Sequence, residues 1–223
     1  MTITRCRING STFVGAFVSS TEEYSFVSSS MDSESIKLIE NTLHTKTIAL
    51  DLYDISLLGI LIKANKNGIL LSNLFDENDV NKIKELNLGI NVEILKSNLN
   101  ALGNDILAND KFAIVNPEYS SEAVKQIRDV LGVEVLSMQI GEFKTVGANN
   151  ILTNKGLLIN NNATDEQMAK INKFVGLNST RTTANVGSLA IGLSVVANSK
   201  GALIGEDTTG FELARITQSL NLD

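Results

Sequence analysis

One cysteine, Cys6, and one histidine, His44, are the only thiol and the only imidazole in the chain. Held in hydrogen-bonding contact, they would form a nucleophile–base pair able to attack a carbonyl or guanidino carbon. Alone they cannot supply the ligand set of a structural zinc site. The stretch Gly187-Ser-Leu-Ala-Ile-Gly192-Leu-Ser194 has the glycine spacing of a phosphate-cradling loop, but leucine stands where that loop carries its lysine. The carboxylates Asp51, Asp54, Glu93, Glu118 and Glu142 fall at no spacing that pairs two of them as acid and base. They read as a solvated rim. What any of these residues can do depends on the elements that place them.

Those elements repeat. Glycine recurs at Gly15, Gly59, Gly103, Gly147 and Gly192, with spacings of 44, 44, 44 and 45 residues by subtraction. A constant offset after each glycine brings an apolar pair: Phe26-Val27, Leu70-Leu71, Ile114-Val115, Leu158-Ile159 and Leu203-Ile204. Further on stands a helix-capping residue: Asp32, Asp76, Ser120, Thr164 and Thr209. A second apolar pair, three apart, follows it: Ile36/Ile39, Val80/Ile83, Val124/Ile127, Met168/Ile171 and Leu213/Ile216. A period of this size marks a supersecondary unit that cannot bury its apolar face alone.

The unit reads as strand, tight turn, strand, helix, strand. The residues around each glycine, for instance Leu57 to Ile62, read as the first strand. The turns Asn65-Lys-Asn-Gly68, Asn109-Asp-Lys111, Asn154-Lys-Gly156 and Asn198-Ser-Lys-Gly201 suit a hairpin. Thr164-x-x-Gln167 and Thr209-x-x-Glu212 are capping boxes that open helices. Third strands are expected at 47–50, 90–94 and 133–136, and in polar form at 178–183, where the extra residue of the longest spacing is expected. After the fifth helix the chain ends at Asp223, with no third strand. The segment 2–7 stands where the third strand of a preceding unit would stand. We therefore expect it to complete the fifth unit and close a ring, leaving fewer exposed sheet edges. The expected fold is α/β: one closed domain over 1–223, with repeats near 11–54, 55–98, 99–142, 143–187 and 188–223.

Composition narrows the function classes. With 43% apolar residues the chain can build a substantial core. A single proline, Pro117, argues against a proline-rich hinge. No apolar run approaches the ~20 residues of a membrane span, and no secretory leader is visible, so a cytoplasmic protein is expected. A lone cysteine agrees with a reducing compartment. The net charge of −6 and the scattered lysines fit poorly with binding nucleic acid through its phosphates, and better with a basic protein partner.

Several segments, taken in order, carry a family resemblance: Asn100-Ala-Leu-Gly-Asn104, Ala108 to Pro117, Val130 to Val135, Thr145-Val-Gly147 with Thr153 to Leu158, and Asp207-Thr-Thr-Gly-Phe-Glu-Leu213. Over essentially its whole length the chain resembles the translation initiation factor 6 family, ribosome anti-association factors of archaea and eukaryotes. That family has the pentein fold, a ring of five ββαβ units. The chain stops without the polar C-terminal extension of eukaryotic members and so resembles the archaeal form. Where the family often places histidine before proline after the second strands, this chain has Asn116-Pro117 and Asn160-Asn161.

The resemblance implies no catalysis and no cofactor. It implies a monomer that docks on the joining face of the large (50S) ribosomal subunit, chiefly on a uL14-type ribosomal protein near the sarcin–ricin loop. There it would sterically prevent association with the small (30S) subunit. The expected docking surface is one end of the ring, beside the glycines. Asn104 is the leading candidate, Ile60, Ala148 and Asn149 hold equivalent or adjacent positions, and Asn65 and Lys66 stand at a hairpin tip. Two rivals stay open at this level. One is a guanidino-modifying enzyme of the pentein class using Cys6 and His44. The other is an interaction ring with a non-ribosomal partner.

Overall fold

The computed structural model describes residues 2–52 and 55–222, so Asp54 of the acidic set lies outside the described residues. The described residues form five three-stranded sheets. Four of them are Ser19–Ser20, Tyr24–Ser28, Lys46–Leu50; Ile62–Ala64, Gly68–Leu71, Asn91–Ile94; Ile106–Ala108, Phe112–Val115, Glu134–Ser137; and Ile151–Leu152, Leu157–Asn160, Ser179–Thr182. In each, the first two strands form an antiparallel hairpin and the third returns parallel to the second after a helix. Parallel neighbours require such a crossover. The fifth sheet joins Val195–Ala197 and Gly201–Gly205 to the N-terminal strand Thr2–Cys6, with Thr2 opposite Gly201 and Cys6 opposite Gly205. The N-terminal strand thus completes the last sheet, as the displaced strand predicted.

The long helices are Ser33–Leu43, Glu77–Glu85, Ser121–Leu131, Asp165–Val175 and Gly210–Ser219. Each predicted capping residue is the N-cap and accepts hydrogen bonds from amides of the first turn. Such a cap contributes about 1 kcal/mol. The two predicted capping boxes are present, and Asp76 with Asp79 forms a third. The shorter aspartate at the closing position hid it from the sequence pattern. The repeated isoleucines Ile39, Ile83, Ile127, Ile171 and Ile216 face inward and are buried. The core is divided into wedges shared by neighbours. One wedge packs Val14, Phe17 and Ile39 of the first repeat against Val196 and Leu203 of the fifth.

The glycine anchors do not lie in strands, contrary to the expectation. They sit in single helical turns, Val14–Ala16, Leu58–Leu61, Leu102–Asp105, Val146–Asn149 and Ile191–Ser194, and the first strand starts after each turn. A short apolar run reads alike in either state. What glycine supplies here is contact. A Cβ on Gly59 would lie 2.0 Å from the Gly15 carbonyl oxygen, one on Gly103 1.8 Å from that of Gly59, and one on Gly147 2.2 Å from that of Gly103. The cycle continues from Gly192 onto Gly147 at 1.8 Å and closes from Gly15 onto Gly192 at 2.2 Å. The five turns stack backbone on backbone around the axis, each leaving no room for a methyl group on the next.

The extra residue is also relocated. The bridges Ile8–Ser11 and Ile140–Phe143 close two-residue turns, whereas Ala184–Ser188 encloses Asn185, Val186 and Gly187. The insertion lies in that turn and not in the polar strand before it.

Candidate functional site

Each first strand runs from its glycine turn to its hairpin turn, so the ring has a glycine end and a hairpin end. Asn65, Asn109, Asp110, Thr153, Asn154, Asn198 and Glu22 line the hairpin end. Asn65 is buried there, donating from Nδ2 to the Asn109 carbonyl at 3.0 Å and the Leu131 carbonyl at 2.8 Å. Asn109 and Asn198 make the same kind of link to Thr153 and Thr21. These asparagines staple repeat to repeat. Lys66 is exposed, and its amide donates to Asp110. Asn65 and Lys66 therefore lie at the opposite end of the axis from Asn104, Ile60, Ala148 and Asn149. The six predicted residues do not share one surface, because a hairpin tip is a strand length away from its glycine.

At the glycine end, Asn104 and Ile60 are half-buried. Asn104 donates its backbone amide to the Ala101 carbonyl at 2.9 Å, while its side-chain Oδ1 is shielded and accepts no hydrogen bond among the described residues. Ile60 packs against the wedge containing Val14 and Phe17. Ala148 and Asn149 are buried. Asn149 accepts from the Thr145 hydroxyl at 3.0 Å and donates to the Leu189 carbonyl at 3.1 Å, joining the fourth repeat to the fifth. Its role in the structure is internal.

Sequence reasoning missed the apolar residues of this end. Phe13 and Leu57 are 41% and 40% exposed and precede the first two glycine turns, where the other repeats place Ala101, Thr145 and Ala190. A large apolar residue in a slot otherwise filled by alanine or threonine was the available signal. Leu74 follows a second strand on the same end, Val186 caps the three-residue turn, and Phe211 opens the last long helix; all three are exposed. Among the described residues, the other large exposed apolar side chain, Leu86, follows a helix C-terminus at the hairpin end. Exposed apolar area is thus concentrated on one face, as at recognition surfaces.

The turn 184–188 is built around Glu212. Asn185, Val186 and Gly187 all have positive φ, and a β-branched residue there is strained. The Glu212 carboxylate accepts from the Gly187 amide at 2.8 Å, the Val186 amide at 3.3 Å and the Thr183 hydroxyl at 2.6 Å. Burial acts to raise the Glu212 pKa, but the hydrogen bonds from Thr183, Thr209 and Gly187 outweigh it and hold the carboxyl below the usual range. The Gly187 amide is taken by this carboxylate, and those of Ser188, Ala190, Leu193 and Ser194 bond to nearby residues of the chain, which argues against the phosphate-loop reading of 187–194.

The nucleophile pair is not assembled either. Cys6 is buried at one end of the N-terminal strand, whereas exposed His44 approaches Thr2 at the other, with 3.5 Å between Nε2 and the Thr2 hydroxyl oxygen. The strand between them spans about 13 Å. Burial, with a contribution from Glu206, pushes the Cys6 thiol up to about 11, so it is protonated at neutral pH. Asp51, Glu93, Glu118 and Glu142 are all exposed, and Glu118 is paired with Lys144. No group of His, Cys, Asp or Glu among the described residues is arranged to hold a metal, and no described helix is long and apolar enough to cross a membrane.

A closed ring of five ββαβ units is the pentein fold. The fold is shared by two solved structures of dimethylarginine dimethylaminohydrolase. One is an adduct with S-methyl-L-thiocitrulline, with TM-score 0.54 and 11% identity over 99% of this chain and 87% of that one. The other, from Pseudomonas aeruginosa, is a complex with citrulline, with TM-score 0.52 and 10% identity over the same shares. At such identity the likeness is one of fold. Within penteins, the chain belongs to the eIF-6 family, whose sequence pattern matches residues 3–219. It is 35% identical to translation initiation factor 6 of Thermoplasma acidophilum over 95% of this chain and 96% of that protein. It is 37% identical to that of Methanocaldococcus jannaschii over 99% and 98%. The chain is thus related to translation initiation factors.

Proposed function

We propose that this protein binds the large ribosomal subunit on its joining face through the glycine end of the ring and so prevents association with the small subunit. The observation that carries the reading is the asymmetry of the ring. Phe13, Leu57, Val186 and Phe211 project at the end that also holds Asn104 with its unpartnered acceptor. The hairpin end is closed by its own asparagine staples. Family membership and the names of the relatives support a ribosomal target. No bond is made or broken in this mechanism. Factor and small subunit have a strongly unfavourable coupling for one large subunit, and each lowers the other's affinity by the same factor.

The partner is a basic protein of the uL14 type near the sarcin–ricin loop, with little direct contact to RNA. An acidic chain of net charge −6 is steered toward such a protein, which aids encounter rate and specificity more than affinity. The backbone-stacked turns hold the docking residues rigid, so little ordering entropy is lost on binding. The factor acts as a monomer in the cytoplasm, without a cofactor. The test is subunit joining followed by light scattering. The protein should suppress joining as it is titrated to one equivalent of large subunits, and Asn104→Arg should abolish suppression while leaving the circular dichroism unchanged. Undiminished joining with excess protein would sink the proposal.

A further inference from the structure

The axis of the ring holds a second feature that docking does not use. A cavity of about 80 Å³ lies between the glycine turns and the hairpin turns, lined by the first strands. That is room for several water molecules or one small polyatomic ion. Equivalent positions on these strands are Ser19, Lys63, Leu107, Ile151 and Val196, so a ring of aliphatic side chains is broken by one lysine and one serine from adjacent repeats. Lys63 is the one ionisable residue lining this cavity.

Burial pushes the Lys63 ammonium down to about 8, which still leaves it largely charged at neutral pH. Among the described residues it has no hydrogen-bond or ion-pair partner, and neither has the Ser19 hydroxyl. The acidic residues that line the axis beyond the cavity, Glu22 and Asp110, are engaged elsewhere. Glu22 accepts from Ser199, and Asp110 from Asn154 and the Lys66 amide. Lys63 is half-buried and its ammonium still meets water in the cavity, but no carboxylate lines the cavity to balance its charge.

We propose that the axial cavity is a binding site for one small inorganic oxyanion, phosphate or sulfate in class, held by the Lys63 ammonium and the Ser19 hydroxyl. The bound anion supplies the counter-charge that the cavity lining lacks and ties the first repeat to the second from inside. Because the anion selects the charged amine, its affinity falls as pH rises above about 8.

The test uses inorganic phosphate at constant ionic strength, with the full chain and with Lys63→Met and Ser19→Ala. At ten times the dissociation constant, the melting temperature of the parent chain should rise by about 3–6 °C. The Lys63 Nζ resonance should titrate about one pH unit higher than without phosphate. Ser19→Ala should weaken binding about tenfold, the value of one hydrogen bond to a charged group. Lys63→Met should not respond. An equal phosphate response in the parent and Lys63→Met chains overturns the site, as does a Lys63 titration that phosphate leaves unmoved. The second readout needs no variant, so it stands even if a substitution impairs folding.

Discussion

Replacing Gly103 by alanine separates two explanations of the glycine repeat by sign. Gly103 lies in a helical turn at an ordinary φ, where local propensity alone favours alanine by about 0.5–1 kcal/mol. The ring geometry opposes it. The new Cβ would fall 1.8 Å from the Gly59 carbonyl oxygen, 2.9 Å from its carbon and 3.2 Å from the Ile60 Cα, all backbone atoms. Real Cβ contacts stay beyond 3.0 Å, so more than about 1 Å of separation must be created. Gly59 cannot retreat freely, because its own Cα rests against the Gly15 carbonyl. Overpacking typically costs 1–3 kcal/mol, and a backbone obstacle in a closed ring belongs at the upper end. We expect a loss of about 3 kcal/mol, a fall in melting temperature of about 6–12 °C for a chain of this size. Gly210, exposed in the first turn of the last helix with nothing near its missing Cβ, is the control. Gly210→Ala should be neutral or stabilising by up to about 1 kcal/mol. Urea unfolding of both variants gives the answer, and a Gly103→Ala chain as stable as the parent would refute the stacked-glycine account.

Three further outcomes follow from the site. Glu212→Gln should destabilise the chain by about 1–3 kcal/mol near neutral pH, because the charged acceptor of the turn is lost. The folded Glu212 pKa lies below its unfolded value near 4.5, so this contribution is present above that pH and disappears as pH falls through the folded pKa. The urea midpoints of parent and variant should converge on acidification, and a gap that persists or widens would contradict the assignment. Cys6 should react with a thiol reagent at pH 8 far more slowly in the native chain than in denaturant, and rapid native labelling would revive the nucleophile reading. Lys66→Glu, at the hairpin end, should leave ribosome binding within about twofold of the parent, whereas Phe13→Glu with Leu57→Glu should remove most of it. Equal losses from both ends would show that the ring does not dock by one face.

Much of the fold was legible because the repeat samples it five times. Asp32, Asp76, Ser120, Thr164 and Thr209 could each be mistaken for a surface residue alone, yet their common offset identified them as caps. Thr2–Cys6 could be assigned to the last sheet because the repeat phase left one strand missing at the end and one spare at the start. The glycine turns were not legible as helical, since Leu58 to Leu61 is apolar in every phase and the reason for glycine lies in the next repeat. The same limit acted at the site. Asn65 reads as a turn residue, and nothing local shows that its amide is spent on Asn109 and Leu131, 44 and 66 residues away. Asn149 likewise gives no local sign of its bond to Leu189. Asn104 was found through family resemblance, whereas Phe13 and Leu57 became visible once the ring defined which end they share.

The most direct test of the central claim is sucrose-gradient sedimentation of purified large subunits with the parent chain, with Phe13→Glu/Leu57→Glu and with Lys66→Glu. The parent and Lys66→Glu chains should migrate with the large subunit and deplete the joined-ribosome peak, while the double variant should stay near the top of the gradient, folded and unbound. If the parent chain stays at the top, or if the double variant co-migrates as well as the parent, the glycine end of this ring is not a large-subunit docking face.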